Sequence, residues 1–269
     1  MNTLYQHRVN DYFDAAAAYW RDIYGQQEVR SAIYQDRCTR TLDFIESLGL
    51  PERTRILEIG SGAGLTSVGL AHRGYCVDAV DAAPAMVQST REHAIRHGVE
   101  EQITPQLADV HQLPFGSDSF PVVLALGVIP WLPSTAPAIA EMARVLAPGG
   151  SLIVTADHRW GISRVLDPLT NPGAQPLKRM VRRLLSHPTK VQARMTTIKD
   201  LDDAIAASGL EKTSGFTFGF GPFTVCHHNV FSERRGVRLH RRLQALADGG
   251  LPILRSGGAQ YFVIAKKGR

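Results

Sequence analysis

The stretch Arg55-Ile56-Leu57-Glu58-Ile59-Gly60-Ser61-Gly62-Ala63-Gly64-Leu65 decides how this chain folds. Strand-forming residues run into an acid, and three glycines at alternate positions then precede a helical pattern. Glycine lets a backbone approach a ligand closely and adopt a positive φ. A loop at the start of a helix also directs unpaired N–H groups at a ligand. The stretch therefore predicts a strand, a ligand-binding loop and a helix.

The spacing of the glycines bears on which ligand this loop would hold. A dinucleotide fingerprint, G-x-G-x-x-G, would need a glycine at position 65, where the chain has Leu65. The pattern present is E-x-G-x-G-x-G, from Glu58 to Gly64. Taken alone, a glycine-rich turn of this kind could serve any nucleotide or be purely structural.

Downstream of the loop, short apolar segments alternate with helical patterns. Strands are expected over 75–81, 103–109, 120–126 and 151–156, with helices over 65–73, 84–97 and 136–146. Such alternation with short connections indicates a doubly wound, mostly parallel α/β sheet, and ligands bind beyond the carboxyl ends of its strands. The loop, Asp81 and Asp109 all fall at that edge.

Residues 51–156 resemble, motif by motif, the core of the class I S-adenosylmethionine-dependent methyltransferases. Glu58 to Gly64 is similar to motif I of that family. Asp81 matches the acid that holds the ribose hydroxyls, and Asp109 matches the acid beside the adenine. Two further stretches, Leu113 to Phe120 and Arg144 to Leu152, resemble the family's approaches to its fourth and fifth strands.

The chain departs from that family at Pro121, where an aspartate is usual. Proline cannot donate a hydrogen bond to a central ladder, so we expect Pro121 at the very start of its strand. Two alternatives also stay open: Asp81 could be a helix N-cap before Pro84, and Asp109 a simple turn residue.

The resemblance implies a seven-stranded Rossmann-like fold and a methyltransferase that uses S-adenosylmethionine and releases S-adenosylhomocysteine. It places the cofactor on one set of residues. These are Glu58, Gly60, Ser61, Gly62, Gly64, Asp81, Ala82, Met86, Asp109, Val110 and Leu126.

The first 50 residues are helical in pattern and rich in aromatic side chains. The run from Tyr12 to Tyr24 resembles the opening of methyltransferases that act on tetrapyrrole, quinone or natural-product acceptors, in which N-terminal helices close over the cofactor. Core packing is the alternative for any single ring. The candidates for a lid or an acceptor pocket are Tyr12, Tyr19, Tyr24, Trp131 and Phe223.

Methyl transfer from a sulfonium is an in-line displacement, so a base is needed only if the acceptor keeps its proton at neutral pH. Histidine is the usual base. His158 follows the fifth strand and is the favoured candidate, with His111 second and with His227 and His228 in a later loop. The alternative for each is a surface histidine or a hydrogen-bonded core histidine.

The chain divides by pattern into four parts. We expect a helical cap over 1–50, a cofactor-binding core over 51–156, a helical insertion or lid over 157–200, and a C-terminal part of the sheet with a pocket insertion over 201–269. Basic segments at 177–194 and 233–242 are solvated helix faces or, alternatively, an amphipathic lid that touches a membrane surface or an anionic acceptor.

The composition is that of an ordinary soluble globular protein, with 269 residues, 44% hydrophobic and 20% charged. Three scattered cysteines form no CxxC pair, so neither a disulfide framework nor a cysteine zinc site is expected, which suits the cytoplasm. The longest apolar run, 122–131, is too short to span a bilayer. Nucleic acid is not an expected partner, because the net charge of +5 is modest and no nucleic-acid module is recognised.

These observations predict a cytoplasmic S-adenosylmethionine-dependent methyltransferase acting on a small or medium apolar acceptor, with natural-product biosynthesis as the leading setting. Quinone, tetrapyrrole and lipid acceptors are alternatives. A non-catalytic S-adenosylmethionine-binding regulator is an alternative of another class, and Leu65 argues against a nicotinamide oxidoreductase. No metal cluster is visible, and the N-terminal helical arm could join two copies of the chain.

Overall fold

The computed structural model describes residues 3–174, 193–226 and 228–269, with the backbone alone for Thr3, Leu4 and Tyr24. Seven strands form its main sheet. They are β1 (Arg55–Ile59), β2 (Cys76–Asp81), β3 (Ile103–Leu107), β4 (Phe120–Ala125), β5 (Leu146–Asp157), β6 (Leu210–Phe218) and β9 (Gln260–Lys267), and a separate short ribbon joins β7 (Thr224–Val225) to β8 (His228–Asn229).

The strand order in the main sheet is β3-β2-β1-β4-β5-β9-β6. Strands β1 to β5 pair in parallel, and β9 runs antiparallel between β5 and β6. The order reverses beside β1, so the carboxyl ends of β1 and β4 open a crevice there. This topology confirms the mostly parallel, seven-stranded α/β fold.

The described helices flank this sheet. They are α1 (Thr3–Ala15), α2 (Ala17–Asp22), α3 (Val29–Ser47), α4 (Leu65–Ala71), α5 (Pro84–Arg96), α6 (Thr135–Val145), α7 (Ile162–Leu166), α8 (Ile198–Ala207), α9 (Glu233–Asp248) and α10 (Pro252–Arg255). Single 3-10 turns lie at Ile23–Gly25, Ile129–Trp131 and Pro172–Ala174. None of the described helices is long and apolar enough to cross a lipid bilayer.

Each face of the sheet carries its own apolar layer, because successive strand residues point to opposite faces. Leu57 and Val123 face the layer that α6 and α8 complete. Ile56 and Leu124 face the other layer, which α3, α4 and α5 cover. Burial on both faces explains why the central strands read as almost continuous apolar runs.

Strand β5 begins earlier than the sequence pattern predicted. The sequence pattern predicts a strand from residue 151, whereas β5 starts at Leu146. Leu146 pairs with Phe120, and the register then shifts before Val122 pairs with Ser151. The break falls at Pro121, which lies near the start of β4 as expected and has no N–H to donate.

A further difference lies at the end of β3. Strand β3 stops at Leu107, so Asp109 lies in the loop beyond it. Helix α3 runs from Val29 to Ser47, within the region 1–50 that is predicted to be helical. Residues 177–192 of the basic segment 177–194 lie outside the described residues, as does His227.

Candidate functional site

A large cavity opens at the carboxyl ends of β1, β2, β4 and β5. It encloses about 1220 Å³, including the space at its mouth, and lies between the glycine loop and the N-terminal helices. Helix α1 contributes Gln6, Val9, Asn10 and Phe13 to its wall.

The three loop glycines all have a positive φ, of 69° at Gly60, 55° at Gly62 and 78° at Gly64. A side chain at Gly60 would collide with Val128, and one at Gly64 would press on the backbone of Thr90. At Gly62 the position of a Cβ is open, with no atom within 4 Å. The loop is therefore held closely on two sides and leaves free space at its centre.

The predicted ribose-binding acid, Asp81, organises this loop. Its Oδ2 accepts a hydrogen bond from the amide of Gly62 and its Oδ1 accepts one from Ala83, both at 3.0 Å. Burial raises the pKa of its carboxyl, against the lowering effect of these amides. Each oxygen keeps a lone pair for a ligand. Asp81 is not the N-cap of α5, because that position belongs to Ala83.

Glu58 lies beneath the loop and is almost fully buried. Its Oε2 accepts a hydrogen bond from the hydroxyl of Ser67. Burial raises the pKa of Glu58 to about 7, against the opposing hydrogen bonds from Ser67 and Thr66. Glu58 therefore ties β1 to α4 and lines the floor of the cavity.

Asp109 lines the cavity where the resemblance places the adenine. Its Oδ1 accepts a hydrogen bond from the amide of His111 at 2.9 Å and lies 2.8 Å from Nδ1 of that ring. The other ring nitrogen of His111 is 3.4 Å from the carbonyl oxygen of Ser134. His111 is thus held by its neighbours and lies outside the residues that line the cavity.

The residues predicted to hold S-adenosylmethionine fit such a ligand. All of them except Gly64 line the one cavity. Buried side-chain atoms without a hydrogen-bond partner are few among the described residues, and three of them belong to the cavity wall: Oε1 of Gln6, Nε1 of Trp20 and Oε1 of Gln260. Buried polar atoms without partners at a cavity wall are typical of a ligand site.

Aromatic rings form the wall opposite the loop. Trp131 contacts Phe13 at 5.0 Å between ring centroids, Phe13 contacts Trp20 at 5.7 Å, and Trp20 contacts Tyr34 at 5.9 Å. These four rings line the cavity. The rings are tilted or edge-to-face relative to one another, so the wall offers both ring faces and ring edges to an apolar ligand.

Of the five predicted lid residues, Trp131 alone lines the cavity. Tyr12 stacks on the outer side of Trp131 at 5.5 Å, and Tyr19 contacts Trp20 at 5.4 Å. Phe223 packs against Phe231 outside the cavity. The side chain of Tyr24 is outside the described part of the chain.

The favoured base, His158, also lies outside the residues that line the cavity. Its Nδ1 is 3.1 Å from the carbonyl oxygen of Gly258, and its amide donates to Ala259. Burial lowers the pKa of its ring. His228 is exposed on the short ribbon, far along the chain from the loop. No described histidine is among the lining residues.

Polar residues that the sequence pattern does not single out also line the cavity, among them Arg37, Asp157 and Gln260. Asp157 directly precedes His158 at the end of β5, so the strand's alternation sends these two side chains in opposite directions. Asp157 could have been found in the sequence as an acid at the end of a strand, the same pattern that identified Asp81. Among the described residues, no group of three or more His, Cys, Asp or Glu side chains is placed to hold a metal ion.

Residues 57–154 match the family model of a methyltransferase domain. These residues contain the glycine loop and both predicted cofactor acids. This part of the chain is a methyltransferase domain. The segments on either side of the methyltransferase domain supply α1 to α3, β6 and β9, and with them the aromatic wall and Gln260.

The chain is 36% identical over 152 residues to a ubiquinone biosynthesis O-methyltransferase of Alkalilimnicola ehrlichii, an alignment that covers 55% of this chain and 58% of that protein. It is 31% identical over 150 residues to the protein of the same name from Xanthomonas axonopodis, covering 55% and 60% respectively. The chain thus spans about three fifths of the length of these curated relatives.

Solved structures share the fold at low sequence identity. A magnesium protoporphyrin IX methyltransferase from Synechocystis aligns with a TM-score of 0.68 and 17% identity, over 98% of this chain and 99% of that one. A [4+2]-cyclase aligns with a TM-score of 0.54 and 18% identity, over 85% and 80%. Since the second is named for a different reaction, the fold alone does not decide the chemistry.

Proposed function

We propose that this protein is an S-adenosylmethionine-dependent methyltransferase that methylates a hydroxyl oxygen on a ring of the quinone class. One observation carries the proposal: the predicted donor residues and an aromatic-walled space with an acid at its end belong to a single cavity. The methyltransferase domain and the O-methyltransferase names of the two curated relatives support it.

The chain's residues would hold the donor in three places. The carboxylate of Asp81 accepts hydrogen bonds from the paired hydroxyls of a ribose, because a carboxylate offers two acceptor oxygens. Asp109 accepts from the amine of an adenine, and the backbone from Gly60 to Gly62 receives the methionine part. Bound there, S-adenosylmethionine supplies a methyl group on a positively charged sulfur.

The rest of the cavity orients the acceptor and keeps water away. Phe13, Trp20 and Trp131 present ring faces and edges to the space beyond the loop, and ring faces favour a nearby positive charge. Excluding water strengthens every electrostatic interaction within the cavity. A flat ring between these side chains would be confined in orientation, which is how the site would align the reacting oxygen.

The quinone alternative is better supported than the natural-product setting that the sequence pattern favoured. Both curated relatives are named for ubiquinone biosynthesis and for transfer to oxygen. An aromatic wall is compatible with either acceptor. We therefore propose a hydroxylated, quinone-type ring as the acceptor and retain O-methylation as the reaction.

Calorimetric titration with S-adenosylhomocysteine tests the donor half of this proposal. We expect binding by the wild-type protein and a loss of at least about tenfold in affinity for Asp81→Asn, because a charged acceptor is removed from a ligand hydroxyl pair. Asp43→Asn is the matched control, since Asp43 is exposed on α3. Tight NADH binding without S-adenosylhomocysteine binding would overturn the proposal.

Turnover separates an enzyme from a non-catalytic binding protein. Formation of S-adenosylhomocysteine in the presence of hydroxylated quinol acceptors supports the proposal, with the methyl ether detected by mass spectrometry. Binding of the cofactor with no methylated product from a panel of hydroxyl, amine and carbon acceptors would instead indicate a regulatory or binding role.

A further inference from the structure

The cavity ends in a polar group of side chains at the carboxyl end of β5. Asp157 accepts a hydrogen bond at Oδ1 from Nε2 of Gln260, at 3.3 Å. Its Oδ2 lies 3.7 Å from Nη2 of Arg164 on α7. Asp157 and Gln260 line the cavity and are paired residues of β5 and β9, so the sheet itself holds them side by side.

Arg37 enters the same space from α3. It is only 8% exposed, and its guanidinium lies over the ring of Tyr34, 4.8 Å from the ring centroid. A Cβ at Gly127 would lie 2.6 Å from its Nη1, so glycine just after β4 makes room for this side chain. We find no hydrogen bond from the guanidinium to the parts of the chain that are described. Its positive charge acts on the carboxylates of Glu58 and Asp157, which line the same cavity.

The charges around Asp157 are mainly positive. Arg164 on α7 and Arg37 and Arg30 on α3 act on its carboxylate, and Gln260 donates to it. Burial raises the pKa of Asp157, with the positive charges of Arg164 and Arg37 acting in the opposite direction. This end of the cavity therefore suits a ligand that is negative or becomes negative when it loses a proton.

Gln260 offers a ligand a second hydrogen-bonding position. Its Nε2 is used by Asp157, whereas its Oε1 is buried and has no partner. A hydroxyl that donates to this Oε1 would lie beside the carboxylate of Asp157. The acceptor would then be positioned by Gln260 while its reacting oxygen faces Asp157.

We propose that Asp157 is the general base that accepts the proton of the acceptor's hydroxyl, and that Arg37 binds the resulting oxyanion. Gln260 is a positioning residue that orients the carboxylate through its amide. The inference rests on the proposed function, which it deepens by assigning the base and by restricting the acceptor to hydroxyls that ionise as those of phenols and enols do.

The step balances as follows in atoms and electrons. The O–H bond of the acceptor breaks, and its proton passes to an oxygen of Asp157. The electron pair left on the acceptor oxygen forms the new O–CH₃ bond, while the pair of the S–CH₃ bond stays on sulfur. Protonated Asp157 then returns its proton to solvent.

Asp157 is a better base than the other candidates because of its position. His158 and His111 lie outside the lining residues, and the carboxyl of Glu58 is engaged by the hydroxyl of Ser67 beneath the loop. Asp81 and Asp109 lie on the side of the cavity assigned to the donor. Among the described acids of the cavity wall, Asp157 is the one at the acceptor end.

Two probe phenols of different acidity test the assignment. 4-Nitrophenol is largely ionised at about pH 8, whereas 4-methylphenol ionises near pH 10, about as tyrosine does. We expect the wild-type protein to methylate both, followed as S-adenosylhomocysteine formation. Asp157→Asn should lose about 100-fold or more in kcat with 4-methylphenol and stay within about tenfold of wild type with 4-nitrophenol, because an ionised acceptor needs no base.

A merely structural role for Asp157 would slow both probes equally, and that result would overturn the assignment, as would equal rates for variant and wild type. Asp43→Asn controls for the loss of a carboxylate. Gln260→Ala should slow methylation of 4-methylphenol more than that of 4-nitrophenol, since it removes the amide that orients the carboxylate of Asp157.

The proposed role of Arg37 can be tested by a binding measurement that does not depend on turnover. With S-adenosylhomocysteine present, bound 4-nitrophenol is expected to show the absorbance of its phenolate below the pH at which the free probe ionises. Arg37→Gln should abolish this shift and weaken binding at least about tenfold, and Arg37→Lys should retain part of it. An unshifted spectrum in the wild-type complex would contradict the role of Arg37.

The two proposals fail in distinguishable ways. If the wild-type protein binds S-adenosylhomocysteine but methylates neither phenol, the inference about Asp157 and the acceptor class is wrong while donor binding stands. If it binds no S-adenosylhomocysteine, the proposed function itself is wrong.

Discussion

At the scale of single residues, the site depends on acids whose protonation is set by burial. Glu58 is the clearest example, because burial in the floor of the cavity raises its pKa to about 7 from an ordinary value of 4.5. The neutral form is therefore favoured in the folded protein over a range in which the unfolded chain is already ionised. Its hydrogen bond with Ser67 holds β1 to α4.

This difference predicts a pH-dependent stability. Between about pH 4.5 and 7 the folded state binds more protons at Glu58 than the unfolded state, so its contribution to stability falls as the pH rises through that range. The shift corresponds to a loss on the order of 3 kcal/mol. Urea unfolding of ligand-free wild type and Glu58→Gln across these pH values measures it.

We expect the stability of Glu58→Gln, relative to wild type, to improve as the pH rises. Comparison of the two proteins removes the contributions of other buried acids, which both share. A constant difference between them from pH 4.5 to 7 would show that Glu58 does not titrate in this range.

At the scale of elements, a hydrogen bond joins the N-terminal helix to the methyltransferase domain, in addition to the ring contacts with Trp131. Oδ1 of Asp14 on α1 accepts a hydrogen bond at 2.9 Å from the amide of Ala85, in the first turn of α5. The N-cap residue of α5, Ala83, has no side chain that could do this. Asp14 on helix α1 thus caps helix α5, which begins beside the cavity.

Asp14→Ala should therefore destabilise the protein by about 0.5–2 kcal/mol, the usual cost of losing a helix cap. It should also weaken binding of S-adenosylhomocysteine, because α1 carries four of the residues that line the cavity. Thermal unfolding and calorimetric titration measure the two effects. Asp11→Ala, at an exposed position of the same helix, serves as the control and should change neither.

The start of β5 provides a second prediction at this scale. A Cβ at Gly150 would lie 2.8 Å from the carbonyl oxygen of Ala147 and 2.9 Å from that of Pro121. Gly150→Ala should therefore cost about 1–3 kcal/mol through overcrowding at the register shift. Gly25→Ala, where a Cβ would meet nothing within 4 Å, should be tolerated, and equal melting temperatures for the two variants would contradict this account.

At the scale of the whole molecule, the two ends of the chain are joined by a buried histidine. His240 on α9 is fully buried, and its Nε2 lies 3.0 Å from Oδ2 of Asp36 on α3. Its Nδ1 accepts a hydrogen bond from the amide of Phe220. The helix that carries Arg37 is therefore fixed by an element about 200 residues further along the chain.

Asp36→Ala would leave the Nε2–H of a buried ring without an acceptor, and we expect it to cost about 1–3 kcal/mol in the free energy of unfolding. Chemical denaturation measures the loss. Asp43→Ala on the exposed side of the same helix should change stability by less than about 0.5 kcal/mol. A similar loss in both variants would attribute the effect to helix α3 in general.

Much of this molecule was predictable from local pattern. The strand, loop and helix around Gly62 and the acids after β2 and β3 were all visible, because strand period and glycine spacing are encoded within about ten residues. The early start of β5 was not visible, since Pro148-Gly149-Gly150 has the composition of a turn. Its pairing with β4 depends on Phe120, a residue distant in sequence.

Local sequence patterns were enough to predict the fold class, the glycine loop and a set of candidate cofactor residues. The side chains at the other end of the cavity became visible only in the folded protein. Asp157 and Gln260 are 103 residues apart and meet through the antiparallel register of β5 and β9, while Arg37 reaches them from a helix near the start of the chain. No local pattern encodes such a meeting, because it depends on how distant strands and helices pack together.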